Sequence, residues 1–420
     1  MKANNTQPPN IRALASLASN ISVAEAIATI EAQAPVMAVE EASLLQAYGR
    51  TLAEDVRSLV DHPSCDNSAL DGFACRAADT LHASAETPVR LELVGQVPAG
   101  SVYDGELSAG QAVAIYTGAP MPAGADAIIA VENSARQEDQ VLLYRPASPD
   151  DIRKRGQDLQ AGELVLKQGC WLEPAAVGVA ASMGYPRLPV VRKPRIAVLA
   201  TGDEVIEPGE TIRDGQVYNS NSYSVTGLLE QAGAEVLLLP RAVDDPEALR
   251  QALSSHGGVD LLMTSGGVSM GDYDFVRDLL FGEGEVLFWK VAMRPGGPVL
   301  FGRWQGLSVL GLPGNPVSSM VVTLLLAVPW VYRALGSSRV IPYQRRVLAL
   351  ADSDFKGAAN KETLRRGRLH FDAELRSYRI ASTGNQSSGI LTSMLHANAL
   401  TVIPANEEIK QGQTVEVIVL

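Results

Sequence analysis

Arg195-Ile196-Ala197-Val198-Leu199-Ala200-Thr201-Gly202-Asp203-Glu204 is the stretch that decides the fold. Its apolar run is continuous rather than alternating, the mark of a strand buried on both faces, and it ends in a glycine turn followed by two carboxylates. Four more runs of this kind follow, Val236 to Leu239, Leu261 to Thr264, Val286 to Trp289 and Val309 to Leu312, with helical stretches between most of them. Residues 191–341 are therefore expected to form a three-layer α/β/α domain around a mainly parallel sheet.

Outward from this unit the patterns change. Toward the N-terminus, Val23, Ala26, Ile27 and Ile30 follow helical spacing behind Ser22, and Glu25 completes a capping box. A second helix is expected from Glu173 to Met183 and is read as a partner for the first. Between them lie short β-like runs, Val89 to Val97, Ala112 to Tyr116, Ala127 to Val131 and Val141 to Tyr144, separated by Gly, Pro and Asp. The chain then reads as a discontinuous helical linker domain, 20–62 and 150–190, with a β domain, 63–149, inserted into it. Beyond Pro342, the runs Arg346 to Leu350, Ser377 to Ala381, Ala399 to Ile403 and Thr414 to Val419 predict a C-terminal β barrel over 342–420.

Composition fits this multidomain α/β plus β layout. A chain of 420 residues exceeds what one core usually supports, and 46% hydrophobic with 20% charged residues excludes a disordered or fibrous class. A net charge of −12 leaves no broad positive field, so nucleic acid is not expected as a partner. The longest apolar region, Val317 to Tyr332, contains Ser318, Ser319, Thr323 and Pro329 and falls short of a membrane span; a buried helix is expected instead. Cys65, Cys75 and Cys170 make no C-x-x-C pair, and the five histidines are scattered, which points to the cytoplasm and gives no zinc site. The polar N-terminal segment carries no secretory pattern.

Chemistry concentrates at the strand ends of the α/β domain. Three loops are rich in glycine and hydroxyl groups: Thr201 to Glu204, Ser265-Gly266-Gly267-Val268-Ser269, and Pro313-Gly314-Asn315-Pro316-Val317-Ser318. Any one of them alone is better read as a plain strand-to-helix turn. Three in one domain point to a shared oxyanion or phosphate ligand, bound by backbone N–H groups beyond the carboxyl ends of the strands. None matches the P-loop or the dinucleotide fingerprint, which disfavours an ordinary ATPase and an NAD enzyme. Carboxylates accompany the loops, Asp203 and Glu204, Asp244 and Asp245, and Asp272 and Asp274, and offer the hard oxygen ligands that Mg²⁺ prefers. Asp245 precedes Pro246 and reads as a helix cap. Lys290 and Arg294 flank Val291-Ala292-Met293 ahead of Pro295-Gly296-Gly297-Pro298 and supply two cations. Two loops of the inserted domain, Asp66 to Ala74 and Tyr116 to Pro122, also gather polar groups.

Together, Asp66 to Ala74, Thr117 to Pro122, Thr201 to Glu204, Ser265 to Gly271 and Gly311 to Ser318 resemble the ordered motif set of the molybdopterin molybdenumtransferases, the MoeA family, to which the gephyrin E domain is also similar. The resemblance implies a homodimer of four-domain subunits with a composite active site. It also implies a reaction in which adenylylated molybdopterin and molybdate give molybdenum cofactor and AMP with the help of Mg²⁺. Asp71 and Thr117 would face the α/β domain of the other subunit; Glu204, Asp244 and Asp274 would handle metal and pyrophosphate. Ser265, Gly266, Gly267 and Ser269, with Pro313, Gly314 and Asn315, would cradle the substrate's phosphate, while Lys290, Arg294, Arg366 and Ser388 would hold anions. A contact with the molybdopterin adenylyltransferase is implied as well. The chain departs from the family at two positions, with Arg294 and Gly297 standing where lysines are common. Two other readings of the same residues are a dimeric scaffold without activity and a Mg²⁺-dependent nucleotide pyrophosphatase.

Overall fold

A computed structural model describes residues 19–202, 204–240, 247, 258–266 and 275–420. Its centre is a seven-stranded sheet whose elements are, in chain order, β1 (Ser19–Ile21), β2 (Arg195–Ala200), β3 (Glu235–Leu238), β4 (Leu261–Ser265), β5 (Gly284–Val291), β6 (Leu300–Trp304) and β7 (Leu307–Leu312). Across the sheet they run β1-β5-β6-β7-β4-β2-β3. The stretch β7-β4-β2-β3 is parallel throughout, as the continuous apolar runs predict. β6 is antiparallel to both neighbours and makes the sheet mixed. It forms a hairpin with β7 through Gln305 and Gly306, both at positive φ, the backbone that a two-residue turn between twisted strands requires.

Helices α1 (Val23–Glu31), α2 (Asn221–Ala232), α3 (Phe275–Glu283) and α4 (Pro316–Ala334) accompany the sheet. α1 begins with the expected capping box: the Ser22 N–H reaches Glu25 Oε2 at 2.8 Å and the Glu25 N–H reaches Ser22 Oγ at 3.2 Å. α4 is the buried helix expected from its composition, with Val317, Val321, Leu325, Leu326 and Trp330 all excluded from solvent. It widens to a π-helical turn over Thr323–Ala327, just ahead of Pro329. Proline has no N–H for the carbonyl of Leu325, and Thr323 Oγ1 bonds back to the Ser319 carbonyl at 2.8 Å; both loosen the regular ladder.

The helices expected to pair are apart. Val23, Ala26, Ile27 and Ile30 pack into the α/β core with Val291, Phe301 and Val328. The second helix, Pro174–Ser182, packs with Leu52, Leu172 and Leu188 in a separate cluster. An antiparallel pair, Val39–Ser43 with Arg187–Val191, joins the two halves of the linker region instead.

Between those halves lies a six-stranded sheet that contains all four expected runs. Gly72–Cys75, read from sequence as the end of a polar loop, is one of its interior strands. A Cβ on Gly72 would overlap the Ile129 carbonyl, so only glycine permits that pairing. At the C-terminus, Glu362–Asp372, Ser377–Ser382, Arg346–Ala351, Thr414–Val419 and Ala399–Ile403 close into a five-stranded barrel, the first strand pairing again with the last. The barrel is stitched to the α/β unit by Met293–Arg294, which runs parallel to Glu362–Thr363.

Candidate functional site

The ends of β2, β4 and β7 meet. Thr201 donates through both its N–H and its Oγ1 to the Ser265 carbonyl, each at 3.2 Å, and the Gly266 N–H donates to the Leu312 carbonyl at 3.1 Å. Gly266 has φ 100°, and a Cβ there would stand 2.9 Å from Thr201 Oγ1, so a side chain would separate the two loops. Asn221, the first residue of α2, joins the third loop: its Nδ2 donates to Ser265 Oγ at 2.7 Å and to the Gly314 carbonyl at 2.8 Å. Its Oδ1 is buried without a partner among the described residues and remains an acceptor. The described parts of the three turns thus meet at the carboxyl ends of the strands.

Asn221 escapes a reading from sequence because Asn219-Ser220-Asn221 ahead of a helix looks like a cap. In fact Asn219 does the capping, its Oδ1 accepting the Ser222 N–H at 3.2 Å, which leaves Asn221 for the loops.

Glu204 follows β2, exposed, with its carboxylate folded back so that Oε2 and Oε1 lie 2.6 and 2.8 Å from where a Cβ on Gly202 would stand. Among the described residues no donor or cation touches that carboxylate. It is a lone hard-oxygen donor: among the described residues no group of three or more His, Cys, Asp or Glu gathers to hold a metal ion. Asp244, Gly267, Ser269 and Asp274 lie outside the described residues, as do Asp203, Asp245 and Asp272.

On the other side of the Pro313–Ser318 turn a cleft of about 780 Å³ opens between the α/β unit and the barrel. Arg294, Gly297, Pro313, Asn315 and Ser318 line it from one side, and Lys361, Arg365 and residues 385–388 from the other. Among the described residues that line it are three cations, Arg294, Lys361 and Arg365, and no carboxylate. Arg365 is anchored by two hydrogen bonds, from Nε at 3.0 Å and Nη2 at 2.7 Å, to the Lys356 carbonyl. Burial, and then the charge of Arg294, make its guanidinium easier to deprotonate than usual. A pair of like charges brought together without an acid between them is a seat for an anion. The barrel side is tied to α4 where the Val317 N–H donates to the Ser388 carbonyl at 3.1 Å.

Arg366, expected to hold substrate anions, is not in this cleft. Successive strand residues point to opposite faces, so Lys361 and Arg365 share one face and Arg366 takes the other. Arg366 is fully buried, with its pKa pushed down to about 10 by desolvation and by the charge of Arg365. It donates to Ser393 Oγ at 3.0 Å and to the Ser387 carbonyl at 2.9 Å, and its N–H reaches Gln386 Oε1 at 2.9 Å. It therefore positions the loop that carries Ser388. Lys290 is likewise absent from the cleft lining; its ammonium lies 4.3 Å from the centre of the Trp289 ring.

Asp71 and Thr117 are brought together at one end of the inserted domain. The Thr117 N–H and Oγ1 both donate to Asp71 Oδ1 at 2.8 Å, which holds the carboxyl below its ordinary range, the backbone bond having the larger effect. Both side chains are exposed, and neither lines the cleft.

Comparison with known proteins is consistent along the whole chain. Residues 21–184 match a family model described as the MoeA N-terminal region (domain I and II), 197–333 one described as a probable molybdopterin binding domain, and 349–420 the MoeA C-terminal region (domain IV). The molybdopterin molybdenumtransferase of Nostoc sp. is 34% identical over 99% of this chain and 94% of its own length. That of Haemophilus influenzae is 33% identical over 90% of this chain and 93% of its own. Among solved structures, the molybdopterin biosynthesis moeA protein from Pyrococcus horikoshii superimposes with a TM-score of 0.79 at 28% identity, covering 96% of this chain and 100% of its own.

Proposed function

The chain belongs to the MoeA family of molybdopterin molybdenumtransferases, enzymes of molybdenum cofactor biosynthesis, and on that premise we propose that it takes adenylylated molybdopterin and molybdate to molybdenum cofactor and AMP. The observation that carries this reading is the joining of three strand-end loops through Thr201, Gly266 and Asn221, next to a cleft lined, among the described residues, by three cations and no acid. The loops where they meet offer small residues and a close-lying backbone to a pterin phosphate and a pyrophosphate; the cleft offers fixed positive charge to a tetrahedral dianion such as molybdate. Lying on either side of one turn, Pro313 to Ser318, they hold the two reactants near each other, so much of the rate enhancement comes from placement.

Glu204 would supply one ligand to Mg²⁺, which when bound screens the charge of the pyrophosphate. The dithiolene sulfurs of the substrate bind the metal of molybdate, and water cleaves the pyrophosphate, so no side chain need act as a covalent nucleophile. Asp71 and Thr117 would complete the site of a second subunit in a homodimer. The same reading carries a cytoplasmic location, an encounter with the adenylyltransferase that makes the substrate, and the division 20–62 with 150–190, 63–149, 191–341 and 342–420. Matched family regions that begin at 197 and at 349 lie near two of those divisions, and α1 packs into the α/β core.

Incubation with adenylylated molybdopterin plus molybdate, and separately with ATP, tests the reaction. AMP is expected only in the first mixture. AMP from ATP alone would favour the pyrophosphatase, and none in either mixture the scaffold. Glu204→Gln is expected to fold and assemble as the parent does but to release no AMP; full activity would remove Glu204 from the reaction.

A further inference from the structure

In this chain the backbone closes in around Gly297. A Cβ there would stand 2.8 Å from the Met293 carbonyl oxygen and 3.2 Å from that of Val291, both backbone atoms that cannot give way. The third atom in reach of that position belongs to the other side of the cleft: it is Lys361 Nζ, at 3.8 Å. The ammonium therefore hangs over a turn, Pro295–Pro298, that presents no charge of its own.

This placement is fixed by the backbone. Met293 pairs with Glu362 and Arg294 with Thr363, and the Glu362 N–H donates to the Ala292 carbonyl at 2.9 Å. Lys361 is thus held one residue from a register that also carries Arg294. It is partly buried, and among the described residues it forms no ion pair, although the cleft around it holds two other cations. Gathering three positive charges without a counter-charge opposes folding unless an anion joins them.

We propose that Lys361 is a substrate-binding residue that, together with Arg294 and Arg365, seats a tetrahedral dianion of the molybdate class and supplies the positive charge that Gly297 does not. The proposal rests on the transferase reading only for the identity of the anion. Arg294 and Arg365 offer planar forks that grip two oxygens each, and Lys361 adds a compact charge on the side of the turn. Its removal should weaken the anion alone and leave the pterin nucleotide, bound in the loop crevice, unaffected.

Calorimetric titration of the full chain with sodium molybdate, in parent, Lys361→Gln and Lys361→Arg proteins of equal melting temperature, tests this. Loss of one charge-assisted contact is expected to raise the dissociation constant roughly ten- to hundredfold in the Gln protein. The Arg protein should recover most of the affinity. In turnover, the Gln protein should show a raised KM for molybdate with kcat nearly retained at saturation, and an unchanged KM for adenylylated molybdopterin. Equal molybdate binding by parent and Lys361→Gln overturns the proposal, as does a parent that binds no molybdate. A parent that binds molybdate through Lys361 but releases no AMP would leave this inference standing and remove the transferase reading instead.

Discussion

Arg365 and Arg366 are neighbours of identical chemistry with opposite tasks, and the strand decides which is which. Arg365 lines the cleft, where the proposed anion would meet its charge; Arg366 is buried and braces the loop 385–388 through Ser387, Ser393 and Gln386. Arg366→Leu is expected to lower stability by about 3 kcal/mol, because buried acceptors lose their donor, and this is read from the denaturation midpoint. Arg365→Gln should change stability by less than about 1 kcal/mol and weaken molybdate binding. If the two variants exchanged these phenotypes, the assignment of faces would be wrong. From sequence alone Arg365-Arg366-Gly367-Arg368 offers no means of choosing, since the pattern around it fixes a strand but not its facing. Asn221 was illegible for a related reason: its role lies in two loops distant in the chain, and nothing in Asn219-Ser220-Asn221 points to them.

Among elements, those with continuous apolar runs were legible within a residue or two, because burial on both faces leaves an unambiguous pattern. Those missed were short or interrupted. β6 contains Gly302 and Arg303, and its signal lay in Gln305-Gly306, a turn pair between apolar flanks. Gly72–Cys75 hid behind a polar loop although Gly72 is what admits it to the sheet. Gly72→Ala should therefore cost about 3 kcal/mol by overpacking against the Ile129 carbonyl, seen as a fall in melting temperature; a neutral result would mean the sheet shifts freely there. The seam strand carries a pH dependence of its own. Burial raises the Glu362 carboxyl above its usual value, against the hydrogen bond it accepts from Tyr343 Oη at 3.1 Å. The protonated form is thus favoured in the folded chain, a contribution fully present below the ordinary carboxylate range near about 4 and lost as pH rises through the raised value. Glu362→Gln should accordingly melt higher than the parent at pH 7, with the gain vanishing at low pH; a gain independent of pH would have another origin.

For the whole molecule, sequence order was a good guide to units and a poor one to their contacts. The inserted sheet and the closing barrel lie where composition shifts place them, yet α1 belongs to the α/β core and the linker halves meet through strands rather than helices. Such contacts depend on apolar faces finding each other across more than a hundred residues, and no local pattern records that choice. The barrel packs through Leu364, Met394, Leu400 and Val402 into the same core as α4.

The short parallel pairing of Met293–Arg294 with Glu362–Thr363 has a mechanical consequence. It works as a rivet through both walls of the cleft, so the walls cannot part gradually while the pairing lasts. A break in this pairing would carry Lys361 and Arg365 off together, because both sit on the stretch of chain that it anchors, so the barrel's two cations meet or miss a ligand as a unit.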